Sequence, residues 1–320
     1  MAIETFDDLY NKGMEYYRNQ QYAEALDVLT REGESFPEDA PMVLYLRSCM
    51  AVRVGQPDVA LDLMQESLDK GYWYGEDVMR QSPSFQSLQG LPRFERMVEV
   101  CKDRQAESAG ADPVLLTLEP EEGCLEEKPC SLLMALHGNG SHARQTINGW
   151  RSIVSNGWLL AAPQSSQAVS VRAFVWDDQE IALREIKEHY LQLCTQHTVD
   201  TGNVVIAGFS MGGETALRAA LSGTIPVRGF VLLGPGGPTI NTPDAWLPLI
   251  EEAKARNLRG YILLGEQDEG VPHDEIRTLS GLLNDNGIPC RLEMIPGIAH
   301  EYPRDFAPYA ARALAFVRQA

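Results

Sequence analysis

Val204-Val205-Ile206-Ala207-Gly208-Phe209-Ser210-Met211-Gly212-Gly213 carries a β-branched, apolar run straight into Gly-x-Ser-x-Gly, and Glu214-Thr215-Ala216-Leu217-Arg218-Ala219-Ala220-Leu221 behind it is rich in helix formers. Strand, sharp turn, helix is the order in which this motif lifts a serine to the head of a sheet as a nucleophile. Such a turn strains the serine backbone and draws neighbouring chain close, so the flanking positions must be nearly free of side chain. Gly208, Gly212 and Gly213 meet that demand. A Gly-rich loop with an incidental serine is the competing reading; the strand before the motif and the Ala-rich helix after it weigh against that.

Outward from this turn, short apolar runs alternate with helix-length segments. Val114–Leu118, Ser131–Leu136, Trp158–Pro163, Gly229–Leu233, Gly260–Leu264 and Cys290–Met294 read as strands, and their near-continuous apolar character is that of strands buried on both faces. Leu183, Ile186, Tyr190 and Leu193 form a helical stripe, as do Ile276, Leu279, Leu282 and Leu283. The expected fold is therefore α/β, a mostly parallel sheet with helices on both faces, whose chemistry sits at the carboxyl ends of the strands.

Those ends carry the candidate site. His137-Gly138-Asn139-Gly140 follows one strand, and the Asn139 N–H with that of Met211, the residue after the serine, fits an oxyanion hole. His137 reads as orienting this loop by hydrogen bonding. Gly265-Glu266-Gln267-Asp268-Glu269-Gly270-Val271-Pro272 and Pro296-Gly297-Ile298-Ala299-His300 follow two later strands. The order Ser210, Asp268, His300 is nucleophile, acid, base, with His300 taking the serine proton and Asp268 holding the imidazole. Glu266 and Glu269 are alternative acids. His273 reads as a helix-start or surface residue, and His142, His189 and His197 as solvent-facing or packing. Asp177 and Asp178 read as N-caps.

Leu136–Gly140, Gly208–Gly213, Gly265–Pro272 and Gly297–His300 together resemble the α/β-hydrolase superfamily, in its carboxylesterase, phospholipase and thioesterase-like branch, over residues 112 to 320. The resemblance implies a serine hydrolase that cleaves a small-molecule carboxylic ester or thioester through an acyl-enzyme, without metal or organic cofactor. Its spacing places the acid at Asp268. It also implies that Gln167, in Pro163–Gln167, and Trp176 border the substrate cleft, although a core role for Trp176 is equally compatible. A serine peptidase of the prolyl-oligopeptidase type and a non-catalytic adaptor are the alternatives; the full set of triad residues speaks against the second.

Residues 1 to 105 differ, with helical periodicity throughout. Glu24–Leu29 lines up with Val59–Met64, and the spacing between Ala25 and Ala60 is close to the tetratricopeptide period of about 34 residues. Leu9, Gly13 and Tyr16 precede the first copy, and Leu44, Ser48 and Ala51 the second. Over about residues 6 to 75 the chain resembles the tetratricopeptide-repeat family, without its tryptophan. The expected organisation is a helical repeat domain at 1–105, a polar linker at 106–113 and the hydrolase domain at 114–320. A stack this short needs cover, from the rest of the chain, a second copy or a protein partner.

Composition narrows the classes. With 45 acidic and 27 basic residues the net charge is −18, which repels nucleic acid and anionic lipid. No run is long and apolar enough for membrane insertion, and Met1–Asp8 lacks the pattern of a secretory signal, so a cytoplasmic location is expected. Six cysteines without a Cys-x-x-Cys pair lead to an expectation of reduced thiols and no metal site, with a Cys124–Cys130 bridge as the alternative.

Overall fold

The computed structural model describes residues 3–108 and 114–319. The chain divides into two compact units, one of residues 1–111 with Ala168–Arg172, the other of residues 112–167 and 173–320.

The first unit is helical: α1 (Phe6–Arg18), α2 (Tyr22–Glu32), α3 (Ala40–Arg53), α4 (Pro57–Asp69), α5 (Glu76–Gln81) and α6 (Pro92–Ser108). Thr5 starts α1 with a capping box, its hydroxyl accepting from the Asp8 N–H while the Asp8 carboxylate accepts from the Thr5 N–H. Ala25 and Ala60, the matched alanines, are fully buried. A methyl at Gly13 would meet Leu29 at an ordinary 3.4 Å, whereas one at Gly33 would lie 2.5 Å from Val43 Cγ1, so Gly33 is the glycine that close packing requires. Helix α6 runs through the first residues of the expected linker to Ser108; the remainder, 109–113, lies outside the described residues.

Ala168–Arg172 belongs to this unit although the sequence places it far along the chain. The Gly75 N–H donates to Val169 O (2.7 Å), the Gln105 amide to Ala168 O (3.0 Å) and the Val171 N–H to Trp73 O (3.3 Å).

The second unit is built on a seven-stranded sheet. Its strands are β1 (Leu115–Leu118), β2 (Cys130–Leu136), β3 (Trp158–Pro163), β6 (Val199–Phe209), β7 (Gly229–Leu233), β8 (Arg259–Gly265) and β9 (Cys290–Ile295); the short β4 (Ala168–Ser170), in the first unit, and β5 (Ala173–Phe174) fall between β3 and β6 in the chain, outside this sheet. The order is β1-β3-β2-β6-β7-β8-β9, with β1 antiparallel to β3 and every other neighbouring pair parallel. The helices are α7 (Ala143–Trp150), α8 (Gln179–Gln196), α9 (Met211–Ser222), α10 (Leu247–Ala253), α11 (His273–Asp285) and α12 (Ala307–Val317).

The two-residue period of the strands divides the core into two layers. Leu132, Met134, Val204, Ile206, Leu232 and Ile262 pack with α8, α9, α10 and α11. Leu133, Ala135, Val205, Ala207, Val231 and Leu263 pack with α7 and α12 on the other face. Each Leu, Ile, Val or Met side chain among them, buried, contributes about 1.5–3 kcal/mol. This is the expected α/β-hydrolase architecture, preceded by a helical region. Asp178 caps α8 as expected, accepting from the Glu180 and Ile181 N–H groups at 3.0 Å.

One expectation is overturned. Cys124 and Cys130 form a disulfide, while Cys49, Cys101, Cys194 and Cys290 are free. The turn that begins at Glu119-Pro120 brings the two residues within 5.1 Å between Cα atoms, a proximity the linear spacing does not reveal. Among the described residues no helix is long and apolar enough to cross a membrane.

Candidate active site

Strand β6 ends at Phe209 and α9 begins at Met211, leaving Ser210 alone in the turn at φ 54°, ψ −124°. A non-glycine residue there stores on the order of 1–3 kcal/mol, tolerated only where the surroundings impose it. The surroundings do so through the Ser210 carbonyl, which accepts from the N–H groups of Gly213 (2.8 Å), Gly236 (3.0 Å) and Glu214 (3.3 Å), and through the Ser210 N–H, which donates to Leu233 O at 3.1 Å. A methyl at Gly208 would lie 2.1 Å from Gly212 O, and one at Gly212 2.3 Å from His137 O. The glycines are thus required by backbone approach on both sides of the serine.

Behind the turn, the structure brings Ser210, His300 and Asp268 together. His300 Nε2 lies 2.9 Å from Ser210 Oγ, and His300 Nδ1 lies 2.7 Å from Asp268 Oδ2. An ionised carboxylate can only accept, so Nδ1 carries the proton and Nε2 is left to accept from the serine hydroxyl. Asp268 is buried, and its other oxygen accepts from the Gly270 N–H at 2.9 Å, whereas Glu266 and Glu269 point into solvent. The ring of His273, at the start of α11, donates from Nε2 to Asp268 O (2.9 Å) and so braces the acid from the other side. A methyl at Gly234, whose φ is +47°, would sit 3.2 Å from Asp268 Oδ2 and 3.3 Å from His300 Nδ1, close to both partners of that bond.

The His137–Gly140 loop is held from beneath by the His137 side chain. Burial pushes its pKa down to about 4, so the ring is neutral at ordinary pH. The Ser165 N–H donates to Nε2 (3.2 Å), which leaves the proton on Nδ1, bonded to Gly138 O at 2.9 Å. Beyond this loop support, the Asn139 and Met211 N–H groups have no backbone acceptor among the described residues.

Trp176 is fully buried: its ring stacks on His137 with centroids 4.6 Å apart, and its Nε1–H donates to His137 O at 2.9 Å. The Gln167 amide is engaged at both ends by the Asp178 backbone, donating at 3.0 Å and accepting at 2.7 Å. Trp176 thus takes the core alternative, packed beneath the His137–Gly140 loop, and Gln167 pairs with the backbone at the start of α8. Glu185, buried on α8, continues that support by accepting from the Ser166 N–H (3.2 Å) and hydroxyl. Sequence reasoning missed this carboxylate, the Gly234-Pro235-Gly236-Gly237 loop after β7, and Glu214. A signal was present in the cluster of glycines at the carboxyl end of a strand. Among the described residues no group of three or more potential ligands is placed to hold a metal.

The fold has counterparts among known proteins. Across 98% of the chain and 99% of its own, an uncharacterized protein from Bacillus cereus ATCC 10987 is similar at 27% identity with a TM-score of 0.55. Esterase PE8 (20% identity, TM-score 0.50, 65% of this chain and 99% of its own) and a ferulic acid esterase (14%, 0.52, 66% and 94%) share the fold of the sheet-containing unit. No curated protein matches the chain in sequence. Residues 5–109 match an A/B hydrolase-like N-terminal domain. Residues 159–319, half of the chain, match the dienelactone hydrolase family; with the parallel sheet and the Gly-x-Ser-x-Gly turn in place, the chain is a hydrolase and belongs to that family.

Proposed function

We propose that the chain hydrolyses a small carboxylic ester, or the related thioester, through an acyl-enzyme on Ser210. The observation that carries this reading is the unbroken series from Ser210 Oγ to His300 to Asp268, at 2.9 and 2.7 Å, on a serine held at positive φ. As Oγ attacks the acyl carbon, its proton passes to His300 Nε2, and Asp268 stabilises the imidazolium through Nδ1–H. The carbonyl oxygen becomes an oxyanion facing the Asn139 and Met211 N–H groups. Collapse breaks the bond to the alcohol or thiol, which leaves with the proton from His300. Water then attacks the acyl-enzyme by the same path, releasing the acid and restoring Ser210. The names of the esterase neighbours agree with an ester as substrate.

The test is intact-mass analysis after treatment with a fluorophosphonate, with peptide mapping, on the wild type and on Ser210→Ala, alongside turnover of p-nitrophenyl esters of graded acyl length. One adduct on Ser210, absent from the variant, together with ester turnover lost on Ser210→Ala, is expected. Folded wild type that takes no adduct and turns over none of the esters refutes the proposal.

A further inference from the structure

Helix α9 carries a carboxylate with no place in the reaction just described. Glu214 lies in its first turn, buried to 3% exposure, with Oε2 accepting from the N–H groups of Thr239 (3.0 Å) and Ile240 (3.2 Å). One turn on, Arg218 stands 3.8 Å from Glu214 Oε1, donates to Thr239 Oγ1 at 3.0 Å and lies 5.0 Å over the Trp246 ring. Trp246 in turn donates from Nε1 to Thr239 O at 3.1 Å. The whole cluster converges on the chain segment that follows β7.

That segment reaches the nucleophile at its other end. The Gly236 N–H donates to the Ser210 carbonyl, and Gly234 lies against the Asp268–His300 contact. A methyl at Gly236 would stand 3.6 Å from Ser210 Oγ and 3.7 Å from Val271 Cγ2, so this glycine forms the wall beside the attacking atom. Three glycines in four residues give the segment little stiffness of its own, and the positive φ of Gly234 (+47°) and Gly237 (+148°) adds to what must be imposed from outside. Gly237 cannot carry a side chain, because a methyl there would lie 2.2 Å from Glu214 Oε2. Carboxylate and bare backbone fit each other.

Resting on the reading of Ser210 as nucleophile, we propose that Glu214 is a positioning residue for this reaction. Its main-chain N–H holds the strained Ser210 carbonyl, and its side chain fixes the Gly234–Ile240 segment that bounds the attacking oxygen and the acid–base pair. The same residue thereby sets both sides of the nucleophile. A displacement of about 1 Å at a reacting group costs on the order of 100-fold in rate. Loss of the Glu214 acceptor therefore lowers kcat by that order with KM little changed. Gln keeps a carbonyl oxygen for the two N–H donors and restores most of the rate.

The experiment compares wild type, Glu214→Ala, Glu214→Gln and Gly237→Ala, each titrated for active sites with a fluorophosphonate and assayed on one p-nitrophenyl ester. Glu214→Ala and Gly237→Ala are expected to lose kcat on the order of 100-fold per titrated site, Glu214→Gln to lie near wild type, and the pH profile to keep its shape, since Glu214 exchanges no proton with substrate. Gly237→Ala reads the same contact where Glu214→Ala does not fold. Wild-type kcat per site in either folded variant, or a Gln variant as slow as the Ala variant, overturns the proposal. A wild type that is not labelled at Ser210 refutes the underlying reading instead.

Discussion

Replacement of His137 by Gln isolates a titration that the fold suppresses. The imidazole is wholly buried beneath the oxyanion loop, stacked on Trp176, with both nitrogens bonded as a neutral ring. Burial lowers its pKa from 6.5 to about 4. The folded-state value lies below the unfolded one, so between these limits the unfolded chain binds more protons and stability rises with pH. Above about pH 6.5 the group costs nothing. As pH falls toward 4 the wild type loses stability, up to about 3 kcal/mol, because each tenfold drop in proton affinity is worth about 1.4 kcal/mol. Protonation of Nε2 also removes the acceptor of the Ser165 N–H, so the oxyanion loop loses its support in the same range. Urea unfolding of wild type and His137→Gln at intervals from pH 7 to pH 4 measures this. His189 shifts in the same direction through its own burial and is common to both chains, so it cancels in the difference. The wild type is expected to lose about 3 kcal/mol more than the variant over that interval. Parallel losses would refute the assignment of His137 as a buried neutral anchor.

Gly212→Ala places a methyl 2.3 Å from His137 O, and relieving that to the 3.4 Å of ordinary contact moves the turn by about 1 Å. Ester turnover is expected to fall on the order of 100-fold, with overpacking costing about 1–3 kcal/mol, read by steady-state kinetics and urea unfolding. Cys124→Ser opens the loop closed by the Cys124–Cys130 bridge, and the chain-entropy relation for so short a loop gives a loss of about 2 kcal/mol. Peptide mapping without reductant checks the bridge itself, by the linked peptide that disappears in the variant.

The inner strands were legible because burial on both faces writes them as continuous apolar runs; the half-buried edge strands β1 and β9 were anticipated as well, and in all seven only the ends are displaced. Ser210, Asp268 and His300 were legible for a related reason, since each follows directly on a strand and local order fixes where such a residue emerges. What escaped depends on contacts between distant segments. An aromatic beside a functional loop can face the cleft or lie beneath the loop with equal sequence cost, and Trp176 lies beneath, engaged by the His137 carbonyl. Gln167 has the polarity of a substrate ligand, and in the fold its amide pairs with the Asp178 backbone, donating once and accepting once. Ala168–Arg172 joins the helical unit through pairing with the Trp73–Gly75 segment, a nonlocal match with no signature in either stretch. Glu214 reads in sequence as an acidic residue in a helical first turn, where it suits the helix dipole anyway. Only the fold brings it within reach of Thr239 and Ile240.

Those omissions share a physical cause that bears on how the site works. Both loops beside Ser210 are glycine-rich, Gly138 and Gly140 on one, Gly234, Gly236 and Gly237 on the other, and Gly140, Gly234 and Gly237 take positive φ. Each ordered glycine costs up to about 1 kcal/mol more than alanine, and a donor left to wander stabilises no oxyanion. Glycines bring no side chain of their own to supply rigidity near the serine. The restraint is therefore delivered from the ends by polar groups, His137 with Ser165 and Trp176 on one side, Glu214 with the Thr239 and Ile240 N–H groups on the other. Buried polar groups are costly unless satisfied, and once satisfied they fix one geometry more sharply than apolar packing does. A serine at positive φ persists because two such anchors, one an uncharged histidine and one a carboxylate, act on loops that could not hold themselves.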